Sequence, residues 1–316
     1  MNGKVKPKCG AAKAALCSNR AMRWLVLLGL LLLPLGASAT EPGEFSRGRL
    51  WRVETPAGAV SHLFGTMHSS HPALTQGLPR SVLDAFAASR VLALEVNLLR
   101  ADVGAFAAAM VLPPGTSLTQ LVGAELAGQI KRALGQLGLS PRAVERMTPW
   151  AVSLSLTTSY EESLRRKVGM KPLDLYLQLG AERAAMRVVA LETLEEQLTV
   201  FTDMPVELQA AMLEASLAAR GLMALAMEDL LALYLEGDLD GLYANYVASA
   251  QGADTAFFGY FNDAILVRRN RTMLERARPL IEEGGAFIAV GALHLAGPDS
   301  LLALLQAAGY RVSRAD

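Results

Sequence analysis

Cysteine is almost missing from this chain. The only two, Cys9 and Cys17, lie in a basic leader of 39 residues that has no Asp or Glu. From Thr40 onward no disulfide, thiolate nucleophile or cysteine metal ligand is available. Histidine is scarce too: His62, His68, His71 and His294 are all there are. The chain has no Gly-x-Ser-x-Gly elbow, no P-loop, no dinucleotide-binding fingerprint and no helical His-x-x-x-His pair. Serine-elbow hydrolysis, nucleotide binding by those loops and helical zinc-protease chemistry are thereby set aside. No second apolar stretch of membrane length is expected after the leader.

The leader itself has six basic residues, an apolar run from Trp24 to Leu35, and the small-residue sequence Ala37-Ser38-Ala39. That order reads as a secretory signal with cleavage before Thr40, which would put the mature chain in the periplasm or outside the cell. Met22 is a second possible start, and the sequence does not choose between it and Met1. The remaining 277 residues carry a net charge of −6, because six of the 30 basic residues fall in the leader and none of the 30 acids does. A mildly acidic body argues against nucleic acid as a partner.

Past the leader, short extended runs and helical stretches alternate. Leu50–Glu54 and Ala59–Phe64 flank Thr55-Pro56-Ala57-Gly58 and read as a hairpin. Val91–Val96, Arg187–Leu191 and Ala286–Val290 are apolar runs of the kind that form strands covered on both faces. Pro79–Arg90 and Pro298–Ala308 read as helices, the latter capped by Gly309, and Tyr310–Ser313 as a last strand. Between about 101 and 277 the pattern is mainly helical. The expected fold is α/β: one domain over 40–316, with a central mixed sheet, flanking helices and a large helical insertion or cap. Met204, Met212, Met223 and Met227 in that insertion read as adaptable core filler, with a soft peptide or lipid groove as the sharper alternative.

Two histidines share a context. Leu63-Phe64-Gly65-Thr66-Met67-His68 and Ala289-Val290-Gly291-Ala292-Leu293-His294 each end an apolar run in Gly-x-x-His. Glycine permits a sharp departure or a close approach at a strand end, and the histidine follows in the loop beyond. Glu95 and Glu192 also close apolar runs. If the four strands run parallel, two imidazoles and two carboxylates meet at one C-terminal rim, where open α/β sheets bind ligands. Such a set suits Zn, Mn, Co or Fe, and a metal there can acidify water and polarise a carbonyl. His62 lies within a strand, and His71 is a loop residue or an accessory ligand. In Arg268-Arg269-Asn270-Arg271, Arg269 and Asn270 are the pair that could turn inward, offering a guanidinium fork and an amide donor to an oxyanion. Asp174 reads as a first-turn helix acid.

These motifs resemble the TraB/GumN family, which is related to the TIKI and PrgY proteins. The resemblance rests on Trp51 through LFGTMH to His68, Leu78-Pro79, the strand VLALEVN, Pro149-Trp150, Leu191-Glu192-Thr193 with Glu196-Gln197, Gly237-Asp238-Leu239, Arg269-Asn270 and Val290–Gly297. It implies an α/β fold like that of the haem-binding ChaN-like and erythromycin-esterase-like proteins. In the TIKI branch it implies a metal-dependent peptidase acting on a peptide or protein. Carried over, His68, Glu95 and His294 would hold a divalent metal such as Mn, Co or Zn. Glu192 would be a further ligand or a general base, and Arg269 and Asn270 would stabilise the oxyanion. The family's pattern has Gly close before Asp, whereas Lys171-Pro172-Leu173-Asp174 stands here. Two other readings stay open: a non-catalytic haem-, metal- or peptide-binding protein, and an accessory factor in envelope or exopolysaccharide assembly.

Overall fold

The computed structural model describes residues 43–250 and 255–316. The expected signal segment lies outside the described residues. Six strands form one sheet: β1 (Leu50–Glu54), β2 (Val60–Thr66), β3 (Val91–Leu94), β4 (Arg187–Ala190), β5 (Ala286–Gly291) and β6 (Arg311–Arg314), in the order β4-β3-β5-β2-β1-β6. The hairpin β1–β2 is antiparallel, as is β1 with β6. The four strands β4, β3, β5 and β2 are mutually parallel, which makes the sheet mixed and gives it one shared C-terminal rim.

The parallel core follows from its residues. Every residue of β3 (VLAL) is buried, as are the first five of β5. Alternate side chains serve opposite faces. Phe64 and Phe287 lie on one face, where Phe86 from the helix Arg80–Ala87 meets Phe287 edge-on at 5.3 Å. Leu63 and Ile288 lie on the other, against Met273, Ile281 and Leu301 from the helices Arg268–Glu283 and Leu301–Ala307. β4 corrects the sequence expectation of a fully covered strand. It is the sheet edge, and its four residues are only half-buried or exposed. Its Val188 and Val189 still pack on the sheet core from that position.

The helical middle has cores of its own. One gathers around Trp150, Met212, Tyr246 and Phe261, with Trp150 and Phe201 stacked at 5.5 Å. Another is built on Leu118, Ile130, Leu134 and Leu213. Met204 and Met212 are buried in the first of these cores and Met223 is buried elsewhere, as the filler reading expects, while Met227 reaches a cavity wall. One expectation is corrected here: the helical stretch Val206–Leu235 is long and apolar enough, by length and composition, to cross a membrane. Within the fold a 3₁₀ turn at Arg220–Leu222 interrupts it. It is apolar on several sides because it serves the sheet core at Leu230 and Leu231 and the helical cores at Met212 and Leu213.

Candidate functional site

The rim predicted from strand ends exists. β2 runs into His68, β3 into Glu95, β4 into Glu192, and β5 into the 3₁₀ turn Ala292–Leu295 that carries His294. The Glu192 N–H donates to the Glu95 carbonyl at 2.7 Å, extending the β3–β4 ladder past the strands. His68 Nε2 lies 4.0 Å and His294 Nε2 3.9 Å from the same atom, Glu95 Oε1. Both rings, with Glu95 and Arg269, line a cavity of about 530 Å³.

Both glycines of the Gly-x-x-His turns serve close approach, not an unusual backbone. Neither has a positive φ. A Cβ on Gly65 would come within 3.0 Å of the Leu295 side chain and 3.2 Å of Ala292. One on Gly291 would stand 3.3 Å from Glu95 Oε1, 3.6 Å from His294 Cδ2 and 3.7 Å from His68 Nε2. The missing side chain at 291 thus leaves a small hollow bounded by the three candidate ligands.

Each imidazole is fixed through its other nitrogen. His68 Nδ1 is 2.8 Å from Asp174 Oδ2, a carboxylate oxygen that only accepts, so Nδ1 carries the proton. Thr66 donates to the other oxygen of Asp174 at 2.5 Å. His294 Nδ1 is 2.6 Å from Asn270 Oδ1. Asn270 Nδ2 donates to the Asp299 carbonyl at 2.7 Å, which fixes the amide orientation and makes His294 Nδ1 the donor as well. Both Nε2 atoms are therefore left for the cavity. Metal-ligating histidines commonly show this arrangement, with the far N–H given to a carboxylate or carbonyl that orients the ring.

The two rings differ in charge. The Asp174 carboxylate raises His68 to about 9. Burial lowers His294 to about 3, against the pull of Glu95. Burial alone would raise Glu95 as well. The imidazoles, the Arg269 guanidinium and the Gly291 N–H outweigh it and hold that carboxyl well below the usual range.

Arg269 is the hub of the ionic side of the site. Its Nη2 donates to Glu95 Oε2 at 2.6 Å and to Glu192 Oε2 at 2.7 Å, while Nε reaches both oxygens of Glu192. Gln197 bridges the same two carboxylates at 3.0 and 3.3 Å. Glu192 was expected to be a ligand or base and Asn270 an oxyanion donor, and the structure gives both of them other partners. Glu192 is occupied by Arg269 and Gln197, and it lines a separate cavity on the far side of Arg269. There it holds Arg269. Asn270 is buried, its oxygen on His294 and an amide N–H on the Asp299 carbonyl, and it lines a separate pocket and not the cavity that holds the imidazoles. Arg269 does line the cavity; its Nη1 makes only a long 3.4 Å contact, to the Ile265 carbonyl.

His71 caps the helix Pro72–Gln76 through Nδ1, and His62 is half-buried within β2, paired across the hairpin with Arg52. Three contributors were not picked out as site residues. Asp174 does occupy the first turn of the helix Leu173–Arg183, as expected, yet its carboxylate serves His68. Gln197 lay inside a family motif without an assigned role. Glu162 carried no sequence signal; it is buried and accepts from Ser69, Ser70, Arg165 and Arg166, holding the loop after His68.

The donor set suits a divalent ion: two oriented imidazoles, one carboxylate and a hollow among them. Bonds of about 2.0–2.2 Å in a tetrahedral site put donors roughly 3.4 Å apart, so these stand about half an ångström wide. Accordingly, among the described residues no three His, Cys, Asp or Glu side chains are drawn together as a closed metal cluster. The fit is that of an open cradle.

A family model described as TraB/PrgY/gumN family matches residues 49–314. Similar proteins include Metalloprotease TIKI1 of Homo sapiens, 25% identical over 92% of this chain and 69% of that protein. Metalloprotease TIKI2 of Danio rerio is 26% identical over 83% of this chain and 60% of its own length. Metalloprotease TIKI1 of Xenopus tropicalis is 25% identical over 83% and 60% respectively. The chain thus spans about 60–69% of the length of these relatives.

Proposed function

Because this chain belongs to the TraB/PrgY/gumN family, we propose that it is a metal-dependent hydrolase of peptide bonds, with a divalent ion such as Mn, Co or Zn held by His68, His294 and Glu95. The observation that carries the reading is the pair of imidazoles, 226 residues apart in the chain, whose Nε2 atoms flank one carboxylate oxygen while their Nδ1 atoms are tied back. A metal bound there would supply Lewis acidity, polarising the scissile carbonyl and acidifying water.

The chain's own residues have separable tasks. Asp174 and Asn270 aim the two Nε2 lone pairs, and His68 must lose its extra proton before it can act as a ligand. Glu192 and Gln197 hold Arg269 in place. Arg269 lines the cavity, where its guanidinium can meet negative charge developing on the carbonyl oxygen. The same proposal keeps export: cleavage near Ala39 would deliver the enzyme to the periplasm or beyond.

A non-catalytic metal- or peptide-binding role is favoured by one feature, the withdrawal of Glu192 from the cavity. Turnover separates the two readings. The protein, purified and loaded in turn with Mn²⁺, Co²⁺ and Zn²⁺, is assayed for bound metal and for cleavage of a broad peptide library. Metal content that is unchanged in the His68→Ala/His294→Ala variant ends the metal-site reading. Metal that binds tightly while every peptide stays intact ends the hydrolase reading.

A further inference from the structure

The walls of the 530 Å³ cavity are chemically unequal. Part of the lining is apolar: Leu154, Met227, Leu230, Leu231, Ile265 and Leu293. The lip next to His68 is cationic and comes from the last turn of the helix Tyr160–Lys167. Arg165 and Arg166 both line the cavity, and both are anchored on the buried Glu162. Arg166 Nε donates to Glu162 at 2.8 Å, and its Nη2 reaches toward the His68 carbonyl at 3.5 Å. Arg165 uses Nε and Nη2 on the same carboxylate. Among the described residues, neither Nη1 has a partner. Two guanidinium groups thus share one carboxylate, which Ser69 and Ser70 also occupy. One cationic charge is left over at the lip, on forks whose orientation is already fixed. The opposing charge on the cavity wall is Glu228, exposed on the helix Met223–Leu235; it forms no ion pair with either arginine.

We propose that Arg165 and Arg166 are specificity residues, selecting peptides that place a carboxylate at the His68 side of the cavity and an apolar side chain on its apolar lining. This rests on the peptide-hydrolase reading above and names its substrate class. The chemistry is that of a planar fork meeting a carboxylate, with the fork's ordering cost already met by Glu162. The carboxylate is an Asp or Glu side chain or a peptide C-terminus. Glu162 is a positioning residue: it orients the forks and touches no substrate.

The test is binding, so that it stands apart from turnover. Dye-labelled Gly-Leu-Leu-Ala-Glu is compared with its C-terminal amide and with the amide of Gly-Leu-Leu-Ala-Gln, by fluorescence anisotropy on the metal-free protein. The neutral Gln amide is expected to bind about tenfold or more weakly than the acidic peptides, as charge-assisted hydrogen bonds imply. Raised salt should narrow that gap. The Glu amide reports side-chain recognition, and the remaining difference to the free acid reports the terminus. In Arg165→Gln/Arg166→Gln the preference should vanish, with folding checked by thermal melt. Should the double variant not fold, the single Arg166→Lys keeps the charge but loses the fork, and a reduced preference is expected. Equal binding of the three peptides to the wild type overturns the proposal, even if peptides are cleaved. So does a preference that persists undiminished in the folded double variant. A preference that disappears as expected, in a protein that cleaves nothing, supports this inference and removes the hydrolase reading instead.

Discussion

His68 and His294 leave neighbouring parallel strands at the same Gly-x-x-His spacing, yet they end in opposite environments. The His294 side chain is 6% exposed and neutral, tied to an amide oxygen. That of His68 is 65% exposed and is held protonated by a carboxylate. The shared motif fixes where each ring stands. The residue behind each ring, drawn from a different helix, fixes its charge. The contrast suggests a division of labour: a preformed neutral ligand on β5, and on β2 a ligand that opens when it gives up a proton.

The largest effect should come from removing either ring. His68→Ala and His294→Ala should each abolish stoichiometric metal uptake, measured by elemental analysis. His294→Ala should also lower stability by about 1–3 kcal/mol in denaturant unfolding, because it leaves the buried Asn270 oxygen without its donor, whereas the cost of His68→Ala should shrink as pH rises through about 9. A cost of His68→Ala that does not change with pH would break the comparison.

Exchanging the partners should come next. In the metal-free protein, Asp174→Asn should bring His68 down from about 9 toward its ordinary value, and Asn270→Asp should raise His294 from about 3; a neighbouring opposite charge moves a group by roughly 1–3 pH units. NMR titration of the ring protons reads both. The sign for stability follows. The His68–Asp174 contribution is full below pH 6.5 and is lost as pH rises through about 9, so wild type should weaken across that interval and Asp174→Asn should not.

A smaller effect separates the two glycines. Gly291→Ala puts a methyl into the hollow, and metal affinity should fall about tenfold with the fold kept, since φ there is −53°. Gly65→Ala meets the Leu295 side chain and Ala292, and should cost about 1–3 kcal/mol with metal affinity little changed.

The smallest effect concerns the His68 loop. Burial would raise Glu162, but donors from Ser70, Arg166 and Ser69 bring it down to about 2. Its contribution is complete above pH 4.5 and is lost as pH falls toward 2. Glu162→Gln should therefore show a shallower fall in Tm over that range than wild type.

The strand ends were legible in the sequence because an apolar run closing in Gly-x-x-His or Glu constrains local geometry directly. This brought His68, Glu95 and His294 together correctly, along with the parallel order of their strands. The helix-borne partners were harder to read. Asp174 and Glu162 meet their loop from 106 and 92 residues away, on helices where an acid near the N-terminus has an ordinary explanation. The surroundings of Glu192 were hard to read for the opposite reason. Its strand-end position matches that of Glu95, but β4 is the sheet edge and Arg269 intervenes before the cavity. Val206–Leu235 shows that a helix shared among several cores can match a membrane span in hydropathy.

The central claim is that two distant imidazoles share one ion. Anomalous diffraction from Co²⁺-soaked crystals tests it directly. The account predicts one strong peak over Gly291, about 2.0–2.2 Å from Nε2 of both His68 and His294, with Glu95 Oε1 drawn in as a third ligand. Cobalt bound elsewhere, or to one ring alone while the other keeps its place, would contradict it.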